Sequence, residues 1–89
     1  MRVISQNNQI DVPYEMTSFH VSDNIVRMNM VGDAGKGSIM AVYSTSEKAE
    51  KAMQKIHDEY SYLWKIEHGL VSYYADETIA FRFPQEEEI

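Results

Sequence analysis

The sequence predicts an α+β domain: a mainly antiparallel β-sheet of five to seven strands with one long α-helix packed across one face. Two observations lead to this fold class. Residues 25–31 alternate between apolar and polar side chains, as in a half-buried strand. Residues 44–68 instead repeat apolar side chains at spacings of three and four, as in an amphipathic helix. The strand has Val26, Met28 and Met30 on one side and Arg27 and Asn29 on the other.

Turn-forming residues divide the rest of the chain into further short strands. Asn7 and Asn8 tolerate the positive φ of a tight turn, and Asp23 with Asn24 marks another turn. Pro13 has no amide hydrogen, so its strand is expected to lie at a sheet edge or to end there. The other predicted strands are residues 2–5, 10–14, 18–22, 38–43, 71–74 and 78–83.

A capping box opens the predicted helix. The side chain of Ser44 can accept the amide of the third helical residue, and Glu47 can reach back. The helix is expected to run to about His68, where Gly69 supplies a left-handed stop. Because one helix covers only one face of a sheet, we expect the other face or an edge of the sheet to be buried in a homo-oligomer. The apolar face of the helix consists of Ala49, Met53, Ile56, Tyr60 and Leu63.

Length and charge limit the class of protein. The 89 residues predict a single α+β domain at residues 1–84, followed by an acidic tail at residues 85–89. The net charge of −6 opposes direct binding to duplex nucleic acid. The chain has no cysteine for a disulfide scaffold, and no apolar run reaches the length that spans a bilayer. The N-terminus does not resemble a secretory signal, so we expect a cytoplasmic protein.

The sequence contains no recognisable motif for catalysis, a metal or a cofactor. The glycine-rich loop at residues 32–38 differs from a phosphate-binding P-loop, because Gly37 follows Lys36 and the next element is a strand. His57 and His68 lie about three helical turns apart, too far to share one metal ion. We therefore expect a protein that is not an enzyme and that needs no cofactor or metal.

Three basic residues are candidate contacts for phosphate groups. Arg27 and Arg82 interrupt apolar strands, and the arginine fork suits two phosphate oxygens. Each of them could instead pair with an acid such as Asp11 or Glu15. Lys36 and the exposed amides of its loop could also receive a phosphate, although a plain hairpin loop is the simpler interpretation.

Aromatic residues gather near the end of the predicted helix and in the next strand. Trp64 and Tyr73 are the candidates for stacking on a nucleobase, with Tyr60, Tyr62 and Tyr74 close by. Core packing is the competing explanation for this cluster. The complete set of candidate ligand contacts is Arg27, Lys36, Arg82, Trp64 and Tyr73.

Three segments carry a recognisable pattern. Residues 4–15 begin with Ile-Ser-Gln and end with Ile-Asp-Val-Pro-Tyr-Glu, residues 43–49 precede the helix, and residues 81–84 read Phe-Arg-Phe-Pro. This pattern resembles a family of short, largely uncharacterised proteins from bacteriophages, prophages and mobile elements of Gram-positive bacteria. Many members have Asp-Gly where this chain has Asn7-Asn8, a tolerable change at a turn. The resemblance implies a genomic setting and supplies no reaction.

The resemblance also implies a class of function, because short acidic phage proteins commonly antagonise host defence. We expect a sponge in the host bacterial cytoplasm: a homo-oligomer that binds a nucleotide-derived immune signal and sequesters it without cleaving it. Binding of this kind needs no general acid or base, in agreement with the missing catalytic motif. The alternative is an acidic inhibitor that binds a host defence nuclease, such as an anti-CRISPR protein or a nucleic-acid mimic.

Overall fold

The computed structural model describes residues 1–33, 35–68 and 80–89, with side chains as far as residue 62 of the helix. These residues form six strands and one long helix, α1. The predicted strand at residues 71–74 lies outside the described residues. The elements are β1 (Arg2–Ile4), β2 (Asp11–Pro13), β3 (Thr17–Ser22), β4 (Ile25–Met30), β5 (Ser38–Val42), α1 (Ser46–His68) and β6 (Ala80–Arg82).

The strands form two three-stranded sheets instead of one larger sheet. In the first sheet the order is β2-β1-β6, and β1 pairs antiparallel with β2 and parallel with β6. In the second sheet β3, β4 and β5 form an antiparallel meander. The small α+β fold with one long helix is therefore confirmed, whereas the prediction of five to seven strands in a single sheet is wrong.

The two sheets separate at a corner after Pro13. Without an amide hydrogen, proline cannot continue a ladder, and residues Tyr14–Met16 form a single turn of 3-10 helix there. The Thr17 hydroxyl donates to the carbonyl oxygens of Pro13 and Tyr14, at 2.9 and 3.0 Å. These bonds close the corner and direct β3 out of the first sheet. The sequence indicated that the strand at Pro13 lies at a sheet edge or ends there, but not that the next strand joins a different sheet.

Helix α1 packs over the second sheet and supplies its small apolar side chains to the core. Ala49, Ala52 and Ile56 are fully buried, while Met53 and Tyr60 of the predicted apolar face are half-buried. Contacts with β3 and β4 hold the helix on this face. Strands from both sheets and the C-terminal segment complete the core with Val3, Val12, Val26, Met28, Met40, Ala41, Tyr43 and Phe83.

The helix begins one residue later than the predicted capping box. The Thr45 hydroxyl accepts the amide of Lys48 at 3.2 Å, so Thr45 caps the first turn in place of Ser44. The amide of Ser44 donates to both carboxylate oxygens of Glu86, at 3.3 and 3.2 Å. The ammonium group of Lys48 lies 3.1 Å from the same carboxylate. Residues 85–89, predicted as an acidic tail, thus place a negative charge at the helix N-terminus, where the helix dipole favours it.

Gln6 joins the two sheets through four hydrogen bonds. Its backbone amide donates to the carbonyl oxygen of Met40, and its side-chain Oε1 accepts the amide of Val42, at 2.8 and 3.0 Å. Its Nε2 donates to the carbonyl oxygen of Pro84 at 3.1 Å, and its own carbonyl accepts Nε2 of Gln85 at 2.7 Å. Gln6, which follows β1, therefore makes hydrogen bonds both to β5 of the second sheet and to the segment that follows β6.

Removing the Gln6 side chain is expected to weaken the connection between the sheets. Gln6→Ala deletes the bonds to Val42 and Pro84, and we expect the free energy of unfolding to fall by about 1–3 kcal/mol. Urea denaturation at pH 7 measures this difference. Gln9→Ala is the matched control, because Gln9 is an exposed glutamine of the same loop. Equal stability of the two variants would contradict the role assigned to Gln6.

Glu86 is expected to make stability depend on acid pH. The hydrogen bonds from Ser44 and Lys48 lower the pKa of Glu86 below its ordinary value of 4.5. A lowered pKa stabilises the folded chain fully above that ordinary value, and the contribution is lost as the pH falls through the folded pKa. Glu86→Gln should therefore be less stable than the unaltered chain at neutral pH, and the difference should shrink below pH 4.5.

Urea midpoints measured at neutral pH and at about pH 3 test this dependence. Glu87→Gln serves as the control, because Glu87 is the exposed neighbour of Glu86. A pH-independent difference between Glu86→Gln and the unaltered chain would show that the carboxylate charge is not involved.

Candidate anion-binding site

A depression of about 300 Å³ lies on the outer face of the second sheet and is lined by His20, Ser22, Arg27 and Lys36. The alternation of β3 explains which side chains reach it. Phe19 and Val21 are half-buried and pack against the core, whereas His20 and Ser22 are exposed. The depression therefore faces away from helix α1, on the side of the sheet that the helix leaves uncovered.

Strand register brings the basic groups of this depression together. His20 on β3 lies directly opposite Arg27 on β4. Side chains at opposed positions of an antiparallel pair have their Cβ atoms about 4.5–5.5 Å apart. The loop between β4 and β5 then contributes Lys36 to the same depression. Two of the three predicted phosphate contacts, Arg27 and Lys36, are thus neighbours in the structure.

Hydrogen bonds from β4 hold the loop that carries Lys36 (the lysine loop) against the sheet. The guanidinium Nη1 of Arg27 donates to the carbonyl oxygen of Gly37 at 3.4 Å, and Nδ2 of Asn29 donates to that of Gly35 at 3.2 Å. Gly37 has a φ of +81°, which favours glycine. A Cβ atom at this position would lie 2.5 Å from the carbonyl oxygen of Met28. Glycine is required because the loop backbone passes this close to β4.

The charges at the depression favour an anion. Arg27 and Lys36 bring two positive charges to the depression, and His20 adds an imidazole beside them. An arginine presents five N–H donors in a planar fork, and a lysine presents three. With a serine hydroxyl at the rim, these groups form a set of donors suited to phosphate oxygens. The depression is a locally basic region in a chain whose net charge is −6.

The other predicted ligand residues are not brought to this depression. Arg82 lies on β6 in the first sheet, where its Nη1 is 3.5 Å from Oδ1 of Asn8. Tyr73 and the side chain of Trp64 lie outside the described residues. The acids considered as alternative partners for the arginines have other partners: Asp11 pairs with Arg2 and Glu15 with the N-terminal ammonium group, both at 2.8 Å.

These two ion pairs line a second and larger concavity, of about 600 Å³, near the N-terminus. Its walls include Arg2, Asp11 and Glu15, so each of its positive groups has a carboxylate partner. Burial opposes the ionisation of Glu15, but its hydrogen bonds, with the positive charges of the N-terminal ammonium group and Arg2, together lower its pKa below the ordinary value. Because its charges are already paired, this concavity is a weaker candidate for binding an anion than the depression at Arg27.

An aromatic row lies on the opposite side of the second sheet. The rings of Tyr14 and Tyr60 stack with their centroids 4.1 Å apart, and Phe19 continues the row at 5.9 Å from Tyr14. The Tyr14 hydroxyl is 3.1 Å from Nδ1 of His57. Burial, with the nearby Tyr60 and Glu15, raises the pKa of the Tyr14 hydroxyl. Since this row lies on the helix side, it cannot contact a ligand in the basic depression of the same chain.

The position of His20 beside Arg27 could have been inferred from the sequence. His20 occupies an outward position of β3, and Arg27 occupies an outward position of β4. The turn at Asp23 and Asn24 fixes the register, because Ser22 then pairs with Ile25. Each residue before Ser22 pairs with the corresponding residue after Ile25. Counting back from the turn places His20 against Arg27.

Comparison with models of protein families, with curated proteins and with solved structures finds no match to this chain. Within the described residues, no three His, Asp or Glu side chains converge on a position that could hold a metal ion. The helix in that part of the chain is not apolar enough over a sufficient length to cross a membrane. A functional assignment therefore depends on the depression itself.

Gly37→Ala is expected to displace the lysine loop. The new Cβ atom would collide with β4 and the backbone would be strained at a φ of +81°. We expect a loss of about 1–3 kcal/mol in the free energy of unfolding. Denaturant titration measures the loss. Gly35→Ala is a matched control two residues away, where an added Cβ meets no atom within 4 Å. A stability of Gly37→Ala equal to that of Gly35→Ala would contradict the close approach.

Proposed function

We propose that this protein binds a nucleotide-derived immune signal of the host bacterium and sequesters it without cleaving it. The observation that carries the proposal is the convergence of Arg27 and Lys36, two of the predicted phosphate contacts, on one open depression. The phage setting and the anti-defence role come from the resemblance of the N-terminal, central and C-terminal segments. In that setting the protein acts in the cytoplasm of the host.

The chemistry of the depression supports binding without turnover. Arginine and lysine neutralise phosphate charge and donate hydrogen bonds, and neither is suited to accept a proton at neutral pH. A histidine that acts as a general base is usually oriented by a third group such as a carboxylate. The described side chains that line the depression with His20 are Ser22, Arg27 and Lys36, none of which is a carboxylate that could orient the imidazole.

The size of the depression supports a ligand shared between subunits. About 300 Å³ lies at the low end of the range for small-molecule sites, enough for a phosphate-bearing part of a nucleotide. The same face exposes two apolar side chains of β5: Ile39, opposite Arg27, is 44% exposed, and Val42 is 46% exposed. A second copy that covers these side chains would enclose the remainder of the ligand. Self-association therefore belongs to the proposal.

A second candidate is an acidic inhibitor that binds a host defence nuclease. It is favoured by the net charge of −6 and by exposed acids such as Glu47 and Glu50 on the helix. Two features make it the weaker candidate. Exposed Lys51 and Lys55 interrupt the acidic surface of the helix, and Glu86 is engaged with the helix N-terminus. A mimic of nucleic acid needs a more uniform negative surface.

Capture of nucleotides from solution tests the proposal. Purified protein is mixed with a panel of cyclic and linear nucleotide signals, and the ligand that leaves solution is recovered by heat denaturation. We expect intact ligand to return. Arg27→Ala and Lys36→Ala should each weaken capture roughly tenfold, because each removes a charge-assisted hydrogen bond. Lys55→Ala is the matched control on the helix and should bind normally.

Three results of this experiment would contradict the proposal. Capture of no nucleotide would exclude sequestration, and a chemically altered ligand would show that the protein is an enzyme. A mass of one chain for the loaded protein by light scattering would exclude sharing between subunits. Arg82→Ala distinguishes the two sheets, since lost capture in that variant would place the ligand on the first sheet. Salt-sensitive binding to a nuclease, abolished by neutralising Glu47 and Glu50, would favour the inhibitor.

A further inference from the structure

We infer that His20 is a third ligand residue of the basic depression, and that its protonated imidazole selects a terminal phosphate over a phosphodiester. This inference rests on the proposed function, because it concerns the anion held at Arg27 and Lys36. Its basis is the cross-strand pairing of His20 with Arg27 and the presence of both side chains in one depression.

The number of positive groups matches the charge of a terminal phosphate. A phosphomonoester carries a charge of about −1.5 to −2 at pH 7 and presents three acceptor oxygens. A phosphodiester carries one charge and presents two unbridged oxygens. Arg27 and Lys36 balance the single charge of the diester, so a third positive group at His20 gains more from the doubly charged monoester than from the diester. His20 is therefore the residue that distinguishes the two ligands.

An anion favours a positive charge on a neighbouring imidazole. An imidazole changes its charge between about pH 5 and 8. Without an anion, a second positive charge opposite Arg27 is unfavourable, and with a phosphate between them it is favourable. The charged side chains on the elements around His20 are Arg27 on β4, Asp23 in the turn before it, and Asp33 and Lys36 in the loop after it. Of these, Arg27 and Lys36 line the depression.

If His20 contacts the phosphate, we expect binding to take up a proton. The affinity for a phosphodiester should rise as the pH falls from 8 to 6, because the charge of the diester is constant over this range and only the protein titrates. A monoester shows the same rise until it accepts a proton itself, at about pH 6. Because protonation of the protein strengthens binding and protonation of the monoester weakens it, capture of a monoester should be strongest slightly below neutral pH.

Adenosine 5′-monophosphate and 3′,5′-cyclic adenosine monophosphate are the two probes that test this inference. Titration calorimetry at pH 6, 7 and 8, in buffers with different ionisation enthalpies, measures the affinity and the protons taken up. We expect the monoester to bind roughly three- to tenfold more tightly than the cyclic diester at pH 7. His20→Gln should remove this preference, the proton uptake and the pH dependence of cyclic-diester binding.

The controls separate failure of this inference from failure of the proposed function. His57→Gln removes an exposed histidine from the helix and should retain the preference and the proton uptake. If both probes bind, and if Arg27→Ala weakens them while His20→Gln changes nothing, the role of His20 is wrong and the anion site stands. If neither probe binds at any pH, both the anion site and the role of His20 are wrong. Thermal unfolding of His20→Gln confirms that the exposed substitution leaves the fold intact.

Discussion

The hydrogen bonds of Gln6 are the constraint on which the arrangement of the two sheets depends. Strands of three residues are too short to be stable as isolated pairs, and the first sheet consists of three such strands. Gln6 connects the end of β1 to β5 and to the segment after β6. The buried side chain of Phe83 lies in that segment and packs with the core beneath both sheets. Local strands that would be marginal alone become parts of one packed unit.

Most of the local structure could be predicted from the sequence. The alternation of residues 25–31 and the three-and-four spacing of residues 44–68 report side-chain burial on one element, and local patterns are sufficient for that purpose. The positive φ at Asn8 likewise follows from a residue that tolerates it at a turn. The choice of sheet partners could not be predicted in this way. It depends on bonds such as that between Gln6 and Pro84, which are 78 residues apart.

The difference between local patterns and long-range pairing also explains which of the predicted ligand residues meet at the candidate site. Arg27 stood out because a charged side chain interrupted an apolar strand, and Lys36 because it lay in a glycine-rich loop. Neither pattern could show that strand pairing and the bonds to Gly35 and Gly37 bring the two residues into one depression. Arg82 had the same strand pattern as Arg27, yet it belongs to the other sheet. A side-chain pattern identifies candidates, and only the register of the strands groups them.

The parallel pairing of β1 with β6 has a consequence for folding during synthesis of the chain. Strand β1 must wait for β6, and Glu86, whose carboxylate completes the start of the helix, follows β6 in the chain. The helix and the meander of the second sheet can assemble while translation continues, since their contacts are local. The first sheet cannot form until β6 has been synthesised. Because β6 follows the helix and all strands of the second sheet in the chain, the first sheet is completed last.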